Sequence, residues 1–307
     1  MISSIREPKK AAPALRIAVA MRRPQGIGCV FRCMATVNVM TEADKVFAGS
    51  IPALYDRYLG PFIFEPYACD LAERLAGFRG RLLETAAGTG IVTRALARTL
   101  PAGVAITATD LNQPMLDHAA QALDAPQVTW RQANALSLPF GNASFDAVVC
   151  QFGAMFFPDK PAGFAEARRV LSPGGRFLFS VWDRIEENDI PAVVSDTVAA
   201  AFPDDPPSFL ARTPHGYCDK ERIRHDLRTA GFSRITIDTV ALRSRAASAA
   251  DPAIGFCTGT PLRHEIEARD AGRLDEVTDR AAQAVARRFG DGPIDGKIQA
   301  HVITATA

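Results

Sequence analysis

The chain has 307 residues and a formal net charge of +1. This near-neutral charge argues against a polyanionic partner held by bulk electrostatic attraction, and no apolar run approaches the ~20 residues of a transmembrane helix. The length accommodates one large α/β domain with an added cap. No C-x-x-C pair occurs, which predicts a reduced, cytoplasmic setting for the scattered cysteines, Cys29, Cys33, Cys69, Cys150, Cys218 and Cys257.

The first 40 residues differ in composition from the rest of the chain. Their basic residues face a single acid, Glu7, and their mildly apolar stretch is interrupted by Pro13 and Arg16. A basic, acid-poor leader is typical of a transit peptide. A disordered tail, or sequence upstream of a start at Met34 or Met40, has the same composition, and we interpret residues 1–40 as such a disordered leader.

The segment 81–96 organises the rest of the chain. It begins as an apolar run, passes through Gly88 and Gly90, and then takes up helical spacing, which predicts a strand, a tight turn and a helix. Glycine lets the backbone turn sharply and approach a ligand. The helix that follows directs its N–H groups and the positive end of its dipole at that ligand. The segment therefore predicts a ligand-binding loop.

Two further positions narrow the range of ligands that this loop could bind. In the dinucleotide fingerprint G-x-G-x-x-G, counted from Gly88, the third glycine would be Thr93, so the match is poor. The next apolar run ends on Asp110, a carboxylate that can accept hydrogen bonds from both hydroxyls of a ribose. The pattern from Glu84 to Gly90 is better described as acid-x-small-x-Gly-x-Gly.

At this point the sequence resembles the class I S-adenosylmethionine (AdoMet)-dependent methyltransferases, and within them the quinone-methylase-like branch that acts on small molecules. Two positions depart from the family. Ala86 replaces its first loop glycine, and Asn134 replaces the acid usual after the third strand. The resemblance covers about residues 80–182 and rests on five segments in the family's order and spacing, 83–90, 110–116, 134–140, 144–150 and 171–177.

The resemblance implies that AdoMet is the cofactor and S-adenosylhomocysteine the product. Glu84 and the glycine loop would hold the methionine end. Asp110 would bind the ribose, and Leu111 would pack on the adenine ring, whose edge would meet Asn134. The cofactor-binding residues implied in this way are Glu84, Ala86, Ala87, Gly88, Gly90, Asp110, Leu111, Met115, Asn134, Ala135, Leu136 and Gln151.

Strand-like runs alternate with helical patterns, which predicts a doubly wound, Rossmann-like α/β sheet that is mostly parallel. Strands are expected near 81–85, 104–109, 127–131, 145–150 and 174–182, and helices near 91–100, 112–123 and 161–171. Residues 233–240 and 297–306 predict a C-terminal antiparallel hairpin, with a helix over 263–288 between them. The expected divisions are the leader (1–40), an N-terminal helical cap (41–78), an AdoMet-binding core (79–185), a substrate lid insertion (186–230), and C-terminal strands and helix that complete the core (231–307).

The acceptor is expected to be a small, partly apolar molecule. Amino-methylating nucleic-acid and protein enzymes resemble one another in an Asn/Asp-Pro-Pro-aromatic motif after the fourth strand, where this chain has Gln151 followed by aromatic residues. Methyl transfer depends mainly on alignment, so a missing catalytic triad does not exclude an enzyme. His215 and Tyr217 are the candidate catalytic groups. The candidate substrate contacts are Tyr55, Tyr58, Phe152, Met155, His215 and Tyr217.

We therefore predict a methyltransferase (EC 2.1.1.-) that acts as a monomer or homodimer. No pair of histidines or carboxylates has ligand spacing on a helix, so no metal is expected. The basic residues of the lid share a helix with acids, which argues against a nucleic-acid partner. Two alternatives remain: a catalytically silent AdoMet-binding regulator or partner subunit, and a nicotinamide-dependent oxidoreductase, which Thr93 disfavours.

Overall fold

The computed structural model describes residues 44, 47 and 49–307. The expected leader, 1–40, and the start of the expected cap lie outside the described residues. Among the described residues, no helix is both long and apolar enough to cross a membrane.

A single seven-stranded sheet of order β3-β2-β1-β4-β5-β7-β6 forms the centre of the described chain. Strands β1 to β5 pair in parallel, and β7 runs antiparallel to both β5 and β6. The predicted fold class is confirmed. The strands are β1 (Arg81–Thr85), β2 (Ala105–Asp110), β3 (Val128–Gln132), β4 (Phe145–Gln151), β5 (Leu171–Trp182), β6 (Arg234–Ala246) and β7 (Ile294–Thr306).

The central parallel strands are apolar on both faces because helices cover both faces. Within β4, the run from Ala147 to Cys150 has no exposed side chain. The helix after the glycine loop begins at Ile91, with Gly90 as its N-cap residue. The helix before β5 is capped by Asp159, whose side chain accepts from the Ala162 N–H. The helices that lie between the parallel strands β1 to β5 in the chain are α3 (Ile91–Thr99), α4 (Gln113–Ala122) and α5 (Lys160–Val170).

The N-terminal region contains an uncommon element. Helix α1 (Ile51–Leu54) continues into a ten-residue π-helical segment, Tyr55–Phe64, and then into α2 (Glu65–Glu73). π-Helical turns are rare and occur frequently at functional sites. Pro61 lies inside this segment and has no N–H to donate to an α-helical ladder. The sequence predicted a helical cap over 41–78 but not that part of it would be a π-helix.

The region expected to be a lid is more regular than the sequence predicted. Residues 186–230 contain α6 (Asp189–Ala201) and α7 (Phe209–Arg212) in addition to the expected final helix, α8 (Lys220–Thr229). Ile190 and Val194 of α6 are fully buried, and α6 packs on α9 (Ala250–Thr258) and α11 (Leu274–Phe289). The insertion is thus part of a helical layer.

The region predicted to be helical, 263–288, is helical but is divided into two helices. Helix α10 (Leu262–Asp270) ends in a single 3₁₀ turn, Ala271–Arg273, before α11 begins. The Asp270 side chain accepts from the Gly272 N–H at 3.0 Å, a local side chain-to-backbone bond that competes with helix continuation. Strands β6 and β7 pair antiparallel as predicted, but α9 to α11 connect them in place of a hairpin turn.

Candidate functional site

The loop after β1 lies open to a cleft at the carboxyl end of the sheet. The Ala87 N–H donates to Thr109 O at 2.9 Å, which holds the loop against β2. Gly88 has φ +57°, and a Cβ built there would have no atom within 4 Å. The backbone at Gly88 can therefore be approached closely by a ligand. At Gly90, in contrast, a Cβ would lie 2.9 Å from the Trp130 ring.

Asp110 anchors this loop from the end of β2. Its Oδ2 accepts from the Gly88 N–H at 2.8 Å, and its Oδ1 accepts from the Asn112 N–H at 2.8 Å. The side chain is only 7% exposed. Burial raises the pKa of Asp110, although the N–H groups of Asn112 and Gly88 favour the charged form. The carboxylate is therefore held in a fixed orientation, with lone pairs left for ribose hydroxyls.

Glu84, at the end of β1, is a buried acid. Its Oε2 accepts from Thr93 Oγ1 at 2.7 Å. Burial raises the pKa of the Glu84 carboxyl to about 8, and the charge of Asp110 adds to this effect while Thr93 and Arg94 oppose it. A positively charged ligand group beside Glu84 would restore its ionised form. The position suits the ammonium group of an amino acid.

Without cofactor, the free energy of unfolding should fall as the pH rises from about 5 to about 8. The folded state keeps the Glu84 proton over this interval, since its pKa is about 8, whereas the unfolded chain has released it. Rising pH then favours unfolding by up to ~1.4 kcal/mol per pH unit. Glu84→Gln should flatten this part of the curve in denaturant titrations. An identical pH dependence in the variant would contradict the assignment.

Gln151, at the end of β4, has one amide atom without a partner. Its Nε2 donates to Phe64 O at 3.1 Å, while its Oε1 is buried and accepts no hydrogen bond. A buried orphan acceptor calls for a specific explanation. Gln151 lines the same small cavity as Glu84 and Gly88, so a donor group of a bound ligand would satisfy it.

The other end of the cleft combines apolar and amide groups. Leu111 is 47% exposed, unusual for a large apolar side chain in this protein. The Asn134 Oδ1 accepts from the Leu136 N–H at 3.0 Å, which closes the loop after β3 and leaves one lone pair for a ligand. The cleft encloses about 920 Å³ including its open mouth, and its lining includes Ala86, Gly88, Asp110, Leu111, Met115, Asn134, Ala135, Leu136 and Gln151.

A second, strongly aromatic cavity of about 570 Å³, including the open space at its mouth, adjoins the cleft. The residues expected to form the lid supply part of its wall, namely Asn188, Pro191, Phe209, Leu210, Pro214 and His215. Other lining residues, which sequence reasoning missed, come from the cap, β5 and the C-terminal region, and include Phe47, Leu59, Ile63, Phe64, Trp182, Phe256, Thr260 and Ile298. The cleft and this cavity share Phe47, Tyr55, Phe152 and Phe156.

Phe152 forms the wall between the two spaces in a strained conformation. Its φ is +51°, which a bulky residue rarely adopts and which costs about 1–3 kcal/mol. Its ring stacks on Trp182 with centroids 3.7 Å apart and an interplanar angle of 5°, and its N–H donates to Ser180 O. Strain of this kind is concentrated at functional sites. Phe152, predicted from the sequence as a substrate contact, lines both the cleft and the aromatic cavity.

Tyr55 and its neighbour Asp56 join the π-helical segment to the glycine loop. Tyr55 lines the cleft, the aromatic cavity and the small cavity at Glu84. Asp56 Oδ1 accepts from Thr89 Oγ1 at 2.8 Å and from the Arg94 guanidinium at 2.9 Å. Although burial opposes it, hydrogen bonding from Arg94 and Thr89 lowers the pKa of Asp56. The sequence analysis missed this clamp because its members are far apart in the chain.

The other predicted substrate contacts fall in different places. Met155 and His215 line the aromatic cavity. Tyr58 lies under the Arg57 guanidinium, 5.1 Å from the ring centroid, and the Tyr217 hydroxyl donates to Asp226 Oδ2 at 2.7 Å. Neither Tyr58 nor Tyr217 lines the cleft or the aromatic cavity.

Comparison with known proteins decides the family. Residues 83–179 match the family described as "Methyltransferase domain". The ubiquinone/menaquinone biosynthesis C-methyltransferase UbiE of Dinoroseobacter shibae is 32% identical over 176 residues, which cover 50% of this chain and 67% of that protein. The chain belongs to the class I S-adenosylmethionine-dependent methyltransferases.

The chain spans only part of the length of other relatives. It is 44% identical over 109 residues to the demethylmenaquinone methyltransferase of Deinococcus radiodurans, covering 35% of this chain and 45% of that protein. UbiE of Paracoccus denitrificans is 32% identical over 170 residues, covering 50% and 66%. The chain thus spans less than two thirds of the length of either relative.

Solved structures show the same fold. The YcgJ protein of Bacillus subtilis superposes with a TM-score of 0.50 and 20% identity, covering 78% of this chain and 98% of that chain. The phosphoethanolamine N-methyltransferase 2 of Haemonchus contortus, solved with S-adenosyl-L-methionine, gives 0.52 and 17% identity, covering 83% and 56%. AdoMet is the cofactor of the family, and the open face at Gly88, the buried acid Glu84 and the orphan Gln151 Oε1 fit it.

Proposed function

We propose that this methyltransferase transfers the methyl group of AdoMet to a small, partly apolar acceptor bound in the aromatic cavity. One observation carries the proposal: the aromatic cavity adjoins the cofactor cleft and shares four aromatic side chains with it. An acceptor there would lie beside the cofactor, as an in-line displacement requires. Positioning of this kind can supply ~7–11 kcal/mol of the barrier reduction.

The cofactor contributes an activated methyl group on a sulfonium sulfur. Glu84 and Gln151 would hold its ammonium group, and Asp110 its ribose hydroxyls. Leu111 would pack on the adenine ring, with Asn134 at the edge of that ring. The remaining contacts we assign to the cofactor are Ala86, Ala87, Gly88, Gly90, Met115, Ala135 and Leu136.

The protein's own contribution is to exclude water and to fix the geometry. Tyr55 stacks on Phe64 with centroids 4.7 Å apart, and the clamp from Asp56 to Arg94 holds this segment over the glycine loop. Rings that are buried and mutually stacked lose little further freedom when a ligand arrives. We therefore assign Tyr55, Phe152, Met155 and His215 to the acceptor site.

The charges on helix α8 bear on whether the substrate could be a nucleic acid. Two arginines of α8 are near acids: Arg224 contacts Glu221 at 2.6 Å, and Arg222 lies 3.9 Å from Asp226. Such pairing dilutes a phosphate-binding surface, so we propose no nucleic-acid substrate. We further propose a cytoplasmic monomer or homodimer, in which residues 41–78 act as a cap and 186–230 as part of the acceptor site.

Calorimetry should show AdoMet and S-adenosylhomocysteine binding at micromolar concentration and NAD binding far more weakly. AdoMet binding near pH 7 should also release protons, because its ammonium group would ionise Glu84. The observed enthalpy will then depend on the ionisation enthalpy of the buffer, and Glu84→Gln should remove that dependence. Tighter binding of NAD would refute the cofactor assignment, and transfer of labelled methyl to cell-extract components tests catalysis itself.

A further inference from the structure

We propose that His215 is the general base of the reaction and that the acceptor is a neutral molecule that reacts through a hydroxyl group. This inference rests on the proposed methyl transfer, and it names the chemical class of the acceptor. It is carried by the position of His215 in the aromatic cavity, by its hydrogen bonding and by the lack of charged residues among the described residues that line this cavity.

The hydrogen bond on one side of the ring fixes which nitrogen carries the proton. His215 Nδ1 lies 2.8 Å from Asp183 O, at the end of β5. A backbone carbonyl can only accept, so Nδ1 carries the hydrogen and Nε2 carries the lone pair. Among the described residues, Nε2 has no hydrogen-bond partner. His215 therefore offers a free acceptor in the wall of the cavity.

The other polar groups of the cavity cannot serve as a base. The Asn188 side chain is occupied, since Oδ1 accepts from the Gln299 N–H and Nδ2 donates to Arg184 O. Thr260 Oγ1 donates to Phe256 O at 2.7 Å. Burial, reinforced by the charge of Asp110, raises the pKa of Tyr55, so its phenol stays protonated. The Trp182 indole N–H can only donate, so His215 is the remaining side chain of the described lining that can accept a proton.

The surroundings disfavour a charged acceptor. No Asp, Glu, Lys or Arg is found among the described residues that line the aromatic cavity. A carboxylate or ammonium group would lose its hydration there without a compensating partner, which is strongly unfavourable. A neutral hydroxyl enters with little penalty, and its proton can be accepted by Nε2.

The step balances without a further reagent. The acceptor O–H bond breaks, its electron pair stays on oxygen, and the proton goes to His215 Nε2. The oxygen, or a ring carbon conjugated with it, forms the bond to the methyl carbon while the carbon–sulfur pair remains on sulfur. The imidazolium then loses one proton to solvent, so methylated acceptor, S-adenosylhomocysteine and one proton are formed.

The pH dependence of the rate follows from the groups that face the ring. Burial lowers the pKa of His215 to about 4, although Asp183 and Glu186, the neighbouring acids, favour the protonated form. The imidazole is therefore neutral throughout the usual assay range, and its basic form is always present. With phenols whose pKa lies well above 8, the wild-type rate should change by only about twofold between pH 6 and pH 8.

The test compares wild type with His215→Asn on a series of phenols of similar size whose pKa values run from about 7 to about 10. With the least acidic phenols the variant should lose about 10²–10⁴-fold in kcat. Its remaining rate should rise about tenfold per pH unit, because the phenolate must then form in solution. With the most acidic phenols at pH 8 the loss should be clearly smaller, because the phenolate is already present, although its desolvation in the cavity keeps the variant below the wild-type rate.

His301→Gln is the matched control. His301 is also buried and lies 3.4 Å from the Asp183 carboxylate, but it does not line the aromatic cavity. Its replacement should leave the flat pH profile unchanged. Melting temperature and S-adenosylhomocysteine affinity check that both variants fold.

A uniform loss of rate in His215→Asn, independent of phenol pKa and of pH, would overturn the role of His215 as base. Methylation of thiols or amines but of no hydroxyl compound would also overturn it, while the proposed methyl transfer would stand. If AdoMet binds and no acceptor of any class is methylated, both proposals fail. The three outcomes are distinguishable in the same set of assays.

Discussion

Asp110→Asn should weaken AdoMet binding about 30- to 1,000-fold, which corresponds to roughly 2–4 kcal/mol. A hydrogen bond to a charged group contributes about 1.5–3 kcal/mol, and the neutral amide can accept through only one of its two ends. The substitution should also lower the stability of the cofactor-free protein. Both carboxylate oxygens accept from N–H groups, those of Gly88 and Asn112, and the asparagine NH₂ would face one of these donors.

Calorimetry with S-adenosylhomocysteine and melting temperature separate the two effects. Asp117→Asn is the matched control, because Asp117 lies on the exposed side of the next helix and is bonded only to Gln113. That variant should bind within about twofold of wild type. An Asp110→Asn protein that melts lower but binds as tightly as wild type would show that Asp110 only supports the loop.

Gly153→Ala should destabilise the protein by about 1–3 kcal/mol and weaken cofactor binding. A Cβ at this position would lie 2.4 Å from the Ala86 Cβ and 2.9 Å from the Cys150 Sγ. Neither neighbour is the flexible end of a long side chain, so the backbone must move. Ala86 belongs to the glycine loop, and a shift there would disturb the cofactor cleft.

Adding Ala86→Gly to Gly153→Ala should restore most of the lost stability. The Ala86→Gly change removes the closer of the two contacts. It also places glycine at a position with φ +53°, where an alanine side chain costs about 1–2 kcal/mol of stability. Ala143→Gly is the matched control, because Ala143 has φ +52° but lies in an exposed turn. Denaturant titrations of the double-mutant cycle measure the coupling. Equal rescue by Ala143→Gly would show that the contact with Ala86 is not the cause.

The close fit between Ala86 and Gly153 explains one departure from the family pattern. Sequence reasoning identified Ala86 as a replacement for a loop glycine. The structure adds that Ala86 keeps a left-handed φ and that its methyl group fills the space beside Gly153. The substitution is tolerated because residue 153 has no side chain.

The features that could be predicted from the sequence are those whose residues are neighbours in the chain. The strand, glycine loop and helix around Gly88 and the carboxylate at the end of β2 follow from short-range patterns, and so does the alternation that predicts β6 and β7. Periodicity and turn chemistry act over a few residues, so one sequence is enough to predict them. The cofactor cleft is assembled almost entirely from such segments.

The residues that form the proposed acceptor site could be identified only from the three-dimensional structure. The aromatic cavity gathers residues from Phe47 to Ile298, and the clamp between Asp56 and Arg94 joins positions 38 apart. The strained Phe152 and the lone pair of His215 depend on Trp182, the last residue of β5, and on Asp183, which follows it. Such contacts arise from how helices pack over the sheet, which no local pattern encodes.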